Sequence, residues 1–196
     1  MYHILYLHGL GSAGSTGTAH HLRQQLYADG FRVSSPDLPV SPTAAVAFIR
    51  DIVAAECPDL VVGTSLSGCY AEQLHGQRRI MVNPSFCTSR LLLFRGIGKR
   101  YPFLNKREDG AKDFMVDKAL VADFRAMERG VLRGVDEADK ALAWGLFGTH
   151  DESVNCQKEY RKAYGDAHFR LFDGGHRLND AVLGGVLIPL IRQILP

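Results

Sequence analysis

Apolar residues along the chain gather in six short runs: HILYLH at 3–8, FRVSSP at 31–36, DLVVGTS at 59–65, RRIMVNP at 78–84, ALAWGLFG at 141–148 and HFRLFD at 168–173. Several are continuous rather than alternating, the pattern of strands covered on both faces. Between most of them the spacing turns helical. Residues 18–29 carry Leu22, Gln25 and Leu26, and residues 43–56 place Val46, Ile49, Ile52 and Val53 on one side. Residues 66–75 begin at a tight turn, 153–164 are mixed and charged, and 180–195 form an apolar C-terminal segment. Strand-then-helix alternation predicts an α/β architecture: a mostly parallel sheet of about six strands with helices on both faces.

The interval from Asn83 to Lys140 breaks this rhythm, being far longer than a crossover helix needs. Within it, VDKALVADFRAMERGVL is amphipathic, and Ala119, Ala122, Phe124, Met127 and Val131 can share one side. The pattern predicts a helical insertion over 85–140, after the fourth strand, that folds across the sheet edge as a lid. The plainer alternative is a long surface excursion without function. No repeat, low-complexity tract or linker divides the chain, so residues 1–196 are expected to form one domain.

Composition changes this picture little. Hydrophobic residues make up 46% and charged residues 22%, ordinary values for a globular protein. A net charge of +2 does not call for a nucleic-acid partner, and none is expected. No run approaches the roughly 18 apolar residues of a membrane helix. The N-terminus lacks the cationic start and small-residue cleavage site of a signal peptide. Cys57, Cys69, Cys87 and Cys156 are scattered without a C-x-x-C pair, so they read as reduced thiols of a cytoplasmic protein. No cysteine or histidine pair has zinc-ligand spacing, and neither metal nor cofactor is expected.

Two glycine-rich turns carry the candidate chemistry. The first, LYLHGLGSAGSTG at 5–17, contains G-x-G-x-x-G after a strand, the dinucleotide fingerprint, with Asp37 as a possible ribose acid. A His-Gly pair in that place also suits a loop that offers backbone N–H groups to an oxyanion. The second, LVVGTSLSG at 60–68, runs from an apolar strand into a helix of small residues, the setting of a G-x-S-x-G nucleophile elbow. There Ser65 must occupy a sharp, strained turn, and its neighbours two residues away must be small. Gly63 meets that need; Ser67 stands where a glycine is usual.

A serine needs a base to take its proton and an acid to orient that base. The expected chain order is Ser, then Asp or Glu, then His. Asp151 follows the fifth run in THDESVN, and His176 follows the sixth in GGHRLND. Both lie where strand ends collect in an open α/β sheet. Asp151 could instead cap a helix beginning near Ser153. Asp37, Asp173 and Asp180 are rival acids, and seven other histidines rival His176. On the catalytic reading, the N–H groups of Leu10 and Leu66 bind the oxyanion, while His8, Gly9 and Gly63 support the loops. The dinucleotide reading leaves Ser65, Asp151 and His176 as unrelated coincidences, and STGT continues the loop where its helix should already have begun.

YLHGLGS, PDLP, VVGTSLSGCYAE, MVNPS, GTHDE and GGHRL, in that order, resemble the α/β-hydrolase superfamily. More narrowly they resemble the small YqiA/YcfP-like esterases. The resemblance implies a three-layer α/β-hydrolase fold and hydrolysis of carboxylic ester or thioester bonds, with Ser65, Asp151 and His176 as the triad. It reaches neither Ser67 nor the interval 85–140. That interval holds Arg90, Arg95, Lys99, Arg100, Lys106 and Arg107, with no acid from 90 to 107 and with LLLFRGIG beside them. Arg90, Arg95, Lys99 and Arg100 are candidate contacts for an anionic leaving group such as a phosphopantetheine thiol; a solvated basic loop is the simpler account. Rival functions are a non-catalytic interaction protein on the same fold and, more distantly, a dinucleotide-dependent oxidoreductase.

Overall fold

The computed structural model describes residues 1–196. Six parallel strands form the central sheet: β1 (Tyr2–Leu7), β2 (Phe31–Ser34), β3 (Leu60–Thr64), β4 (Arg79–Val82), β7 (Ala143–Gly148) and β8 (Phe169–Phe172). They correspond to the six apolar runs. Their order is β2-β1-β3-β4-β7-β8, with Leu5 beside Val61 and Ile80 beside Trp144. The inner strands are buried almost throughout, which is why their sequences do not alternate. The edge strands β2 and β8 keep exposed positions.

Strand periodicity of two sorts the core into two layers. Ile4, Tyr6, Leu60, Val62, Ile80, Val82 and Leu146 face α1 (Gly17–Tyr27) and the C-terminal helix. Leu5, Leu7, Val61, Met81 and Phe147 face α2 (Pro42–Glu56), α3 (Leu66–Glu72), α5 (Lys118–Glu128) and α7 (Gln157–Tyr164). The result is a three-layer α/β-hydrolase fold. Local chemistry marks the helix starts: Thr16 accepts from the Ala19 N–H, Ser41 from Ala44, and Asn179 from Val182. The C-terminal helix comprises α8 (Asp180–Val182), a π-helical turn (Leu183–Leu187) and α9 (Ile188–Ile194). The wide turn precedes Pro189, whose ring nitrogen has no hydrogen to donate. No helix is long and apolar enough to cross a membrane.

Between β4 and β7 the chain forms α4 (Thr88–Arg95), β5 (Lys99–Pro102), β6 (Asp113–Val116), α5 and α6 (Glu137–Leu142). The expected helices are present. Periodicity did not expose the antiparallel hairpin of β5 and β6, which sets Tyr101 opposite Phe114. The buried stripe of α5 is Val121, Phe124 and Met127, and Val131 is buried beyond it. Ala119 and Ala122 are exposed, which corrects the expected face. Thus α5 covers the sheet as a crossover helix, held to α2 by Ser41 and Thr43 bonding Asp123, and to α4 by Ser89 bonding Glu128.

Away from the strands' carboxyl ends, Arg79 at the start of β4 is wholly buried. Its guanidinium grips Asp139 of α6 through two bonds of 3.0 and 2.6 Å. It also donates to the Tyr164 hydroxyl, which in turn donates to Glu72. Burial alone would raise the Asp139 pKa, but bonds from Arg79, His75 and the Gly76 N–H outweigh it and hold the carboxyl at about 2. Burial raises Glu72 above the usual carboxylate range.

Candidate active site

Ser65 occupies the single residue between β3 and α3, with φ 56° and ψ −117°. This is an uncommon backbone state for a residue with a side chain. Flanking bonds hold it: its N–H donates to the Val82 carbonyl at 2.9 Å, and its carbonyl accepts from Ser85 and Gly68, each at 3.0 Å. A Cβ added to Gly63 would overlap the Ser67 carbonyl, and one on Gly68 would stand 2.9 Å from Pro84 Cα. Tight approach therefore fixes glycine at 63 and 68, whereas position 67 has room for a side chain. The Ser67 hydroxyl uses that room to donate to the His8 carbonyl.

His176 follows β8 and Asp151 follows β7. His176 Nε2 lies 2.9 Å from Ser65 Oγ, and its Nδ1 lies 2.7 Å from Asp151 Oδ2. The carboxylate cannot donate when ionised, so the ring proton is assigned to Nδ1 and Nε2 is left to accept from the serine. The alternative of a helix cap is not met, since no helix begins near Ser153 and α7 starts only at Gln157; Asp151 instead organises a turn. Oδ1 accepts from the Ser153 and Val154 N–H groups, each at 2.9 Å. One oxygen organises the turn and the other meets the imidazole.

The rival acids are occupied elsewhere. Asp173 pairs with His150 on the surface, and Asp180 pairs with His21. Asp37 joins two loops, accepting from Gly14 and Glu108 N–H groups at 2.6 Å each. Among the histidines, His3 bonds Ser34, His75 bonds Asp139, and His168 stacks on Trp144 at 4.0 Å.

The opening loop packs against the elbow. A Cβ on Gly9 would lie 3.4 Å from Ser65 Cβ and 3.9 Å from its Oγ. His8 is buried beneath: Nδ1 lies 3.0 Å from the Gly9 carbonyl, and Nε2 accepts from the Leu38 N–H at 3.1 Å. Burial lowers the His8 pKa, and the Leu38 bond requires Nε2 unprotonated. The Leu10 N–H makes no hydrogen bond within the chain. Leu66 is the first residue of α3 and receives no side-chain cap from Ser65, so its N–H is one of the helix's open amides. A Cβ on Gly14 would collide with the Ser35 carbonyl, and α1 begins only at Gly17. Close packing, not room for a pyrophosphate, thus accounts for Gly14.

These groups border a cleft of about 1090 Å³, into which Leu10, Ser65, Leu66 and His176 all face. The inserted segment builds one wall with Leu91, Leu92, Tyr101, Leu104 and Phe114; Leu178 and Leu183 stand elsewhere on the lining. The insertion is tied to the opening loop by Leu104 N–H donating to Gly11 at 2.7 Å and by Ser12 bonding Asn105. Of the four basic candidates, only Arg95 lines the cleft. Arg100 is paired with Asp113 on the hairpin, and Arg90 and Lys99 lie outside the lining. Arg177, beside His176, does line it; adjacency to His176 is the one sequence signal that could have found it.

The chain is similar over its whole length to solved structures of one fold. Against mouse alpha/beta hydrolase domain-containing protein 10 the identity is 13% over 98% of this chain and 89% of that chain, with TM-score 0.69. Est1E from Butyrivibrio proteoclasticus, solved with ferulic acid, is 14% identical over 100% and 90%, with TM-score 0.69. The thioesterase domain from the curacin biosynthetic pathway is 16% identical over 100% and 91%, with TM-score 0.59. At these identities the likeness is one of fold. Comparison with curated proteins gives no match. The model of the uncharacterised protein family UPF0227 matches residues 3–180; this α/β-hydrolase-fold chain therefore belongs to UPF0227.

Proposed function

We propose that the protein is a serine hydrolase acting on carboxylic esters or thioesters through an acyl-enzyme. The observation that carries this reading is the continuous chain from Ser65 Oγ through His176 to Asp151, with bonds of 2.9 and 2.7 Å. A surface interaction protein has no need of these contacts at a strained elbow bordering a cleft.

His176 Nε2 takes the Ser65 proton as Oγ attacks the acyl carbon. The carbonyl becomes an oxyanion, bound by the N–H groups of Leu10 and Leu66; each such donor is worth about 10² to 10³ in rate. The intermediate collapses, the bond to the leaving group breaks, and the departing alkoxide or thiolate takes the proton from His176. Water then gives its proton to His176 and attacks the acyl-Ser65 ester. Collapse releases the acid and returns the proton to Oγ. Asp151 holds the imidazole in the required tautomer throughout.

The apolar wall from the insertion suits the acyl portion, and within residues 85–140 it is α4 and the β5–β6 hairpin that serve as a lid, since α5 and α6 do not border the cleft. Arg95 suits an anionic leaving group. A panel of p-nitrophenyl esters and CoA thioesters of graded chain length tests the reading. Turnover by the native chain with none in Ser65→Ala is expected; equal turnover by both overturns it.

A further inference from the structure

Asn83 follows β4 immediately, one residue beyond the Val82 carbonyl that holds the Ser65 N–H. Its backbone is left-handed, with φ 44°, a conformation asparagine tolerates better than most residues. Its side chain is buried and fully engaged. Nδ2 donates to the Gly175 and His176 carbonyls, each at 3.1 Å, and Oδ1 accepts from the Gly148 N–H at 2.8 Å. Two donors meet two carbonyls and the acceptor meets an N–H, so these partners fix the amide orientation. Gly148 ends β7, and its carbonyl receives the Asp151 N–H at 3.4 Å. One side chain thus links the strand supporting the serine, the turn leading to the carboxylate, and the backbone of the histidine itself.

We propose that Asn83 is a positioning residue. It clamps the His176 loop to the end of β7 so that the imidazole stands in register between Ser65 and Asp151. Aspartate here would keep the Gly148 bond but set an oxygen against both loop carbonyls. Glycine would keep the left-handed backbone while deleting every side-chain bond. A misplacement of about 1 Å in such a site can cost about 10² in rate. The inference rests on the hydrolase reading for its kinetic consequence, though the geometry it asserts can be measured separately.

The test uses the full chain with Asn83→Asp and Asn83→Gly. The measurements are p-nitrophenyl ester kinetics, thermal melting, and the low-field NMR resonance of the His176 Nδ1 proton bonded to Asp151. The expected result is a fall in kcat of about 10- to 100-fold in both variants with KM changed less than about threefold. The resonance should weaken or broaden in both below their melting temperatures. A merely structural role would lower the melting temperature and leave both kcat and the resonance of the folded protein intact. That result in either folded variant overturns the proposal, and Asn83→Gly decides alone should Asn83→Asp not fold. If the native chain hydrolyses nothing, the hydrolase reading fails, and the resonance still decides whether Asn83 sets the His176–Asp151 contact.

Discussion

The hydroxyl of Ser67 donates to the carbonyl oxygen of His8, joining the elbow helix to the loop that faces it. The residue that departs from the usual elbow glycine thereby makes a buried contact between the serine's support and the loop that carries the Leu10 amide. Ser67→Ala leaves the His8 carbonyl without this donor, a loss of about 1–3 kcal/mol. Differential scanning calorimetry should show a lower Tm by several degrees, and ester turnover should fall without a matching rise in KM. An unchanged Tm and kcat would show that the hydroxyl contributes nothing.

Two glycines should respond oppositely to a methyl group. Gly63→Ala forces a Cβ into the Ser67 backbone and should yield a strongly destabilised, inactive protein. At Gly184, in the C-terminal helix, an added Cβ meets nothing within 4 Å. Gly184→Ala should be neutral or stabilising by up to about 1 kcal/mol, as urea unfolding would measure.

Stability should fall in acid through Asp139. Its folded pKa is held at about 2, below the ordinary unfolded value of about 3.9. The folded state therefore binds the proton less readily. This carboxylate's contribution is complete above about pH 4 and is lost as pH falls towards 2. Asp139→Asn leaves Arg79 buried against a neutral group and should cost about 3–5 kcal/mol at pH 7. It should also flatten the acid limb of a stability–pH curve.

Arg95 lines the cleft without an ion-pair partner. Arg95→Ala should raise KM for CoA thioesters by roughly fivefold at low salt, the effect of one partly exposed charge contact, and leave neutral esters of equal chain length unaffected. Parallel changes in both substrate classes would assign Arg95 to the wall rather than to charge recognition.

The sheet was legible because each strand is an apolar run bounded by turn residues, and burial on both faces made four of those runs continuous. The hairpin was not. KRYP has no buried position, and DFMV buries only Phe114 and Val116, an alternation too short to stand out from the surrounding sequence. The buried face of α5 is not legible from spacing, because Ala119 and Ala122 satisfy helical periodicity as well as Val121 does; only packing distinguishes them. Ser65, Asp151 and His176 could be singled out because their order along the chain follows the order of strand ends. Charge density alone could not separate Arg95 from Arg90, Lys99 and Arg100, since which arginine faces the cleft depends on the turn of α4. Asn83 was visible only as part of an Asn-Pro pair, since its partners lie 65, 92 and 93 residues away.

The most direct measurement is intact-mass and peptide mapping after treatment with a fluorophosphonate, which modifies only an activated serine. A single adduct on Ser65 is expected in the native chain, formed at least about 10²-fold more slowly in His176→Ala and absent in Ser65→Ala. An unmodified native chain, or an adduct that persists at another residue in Ser65→Ala, would contradict the hydrolase reading.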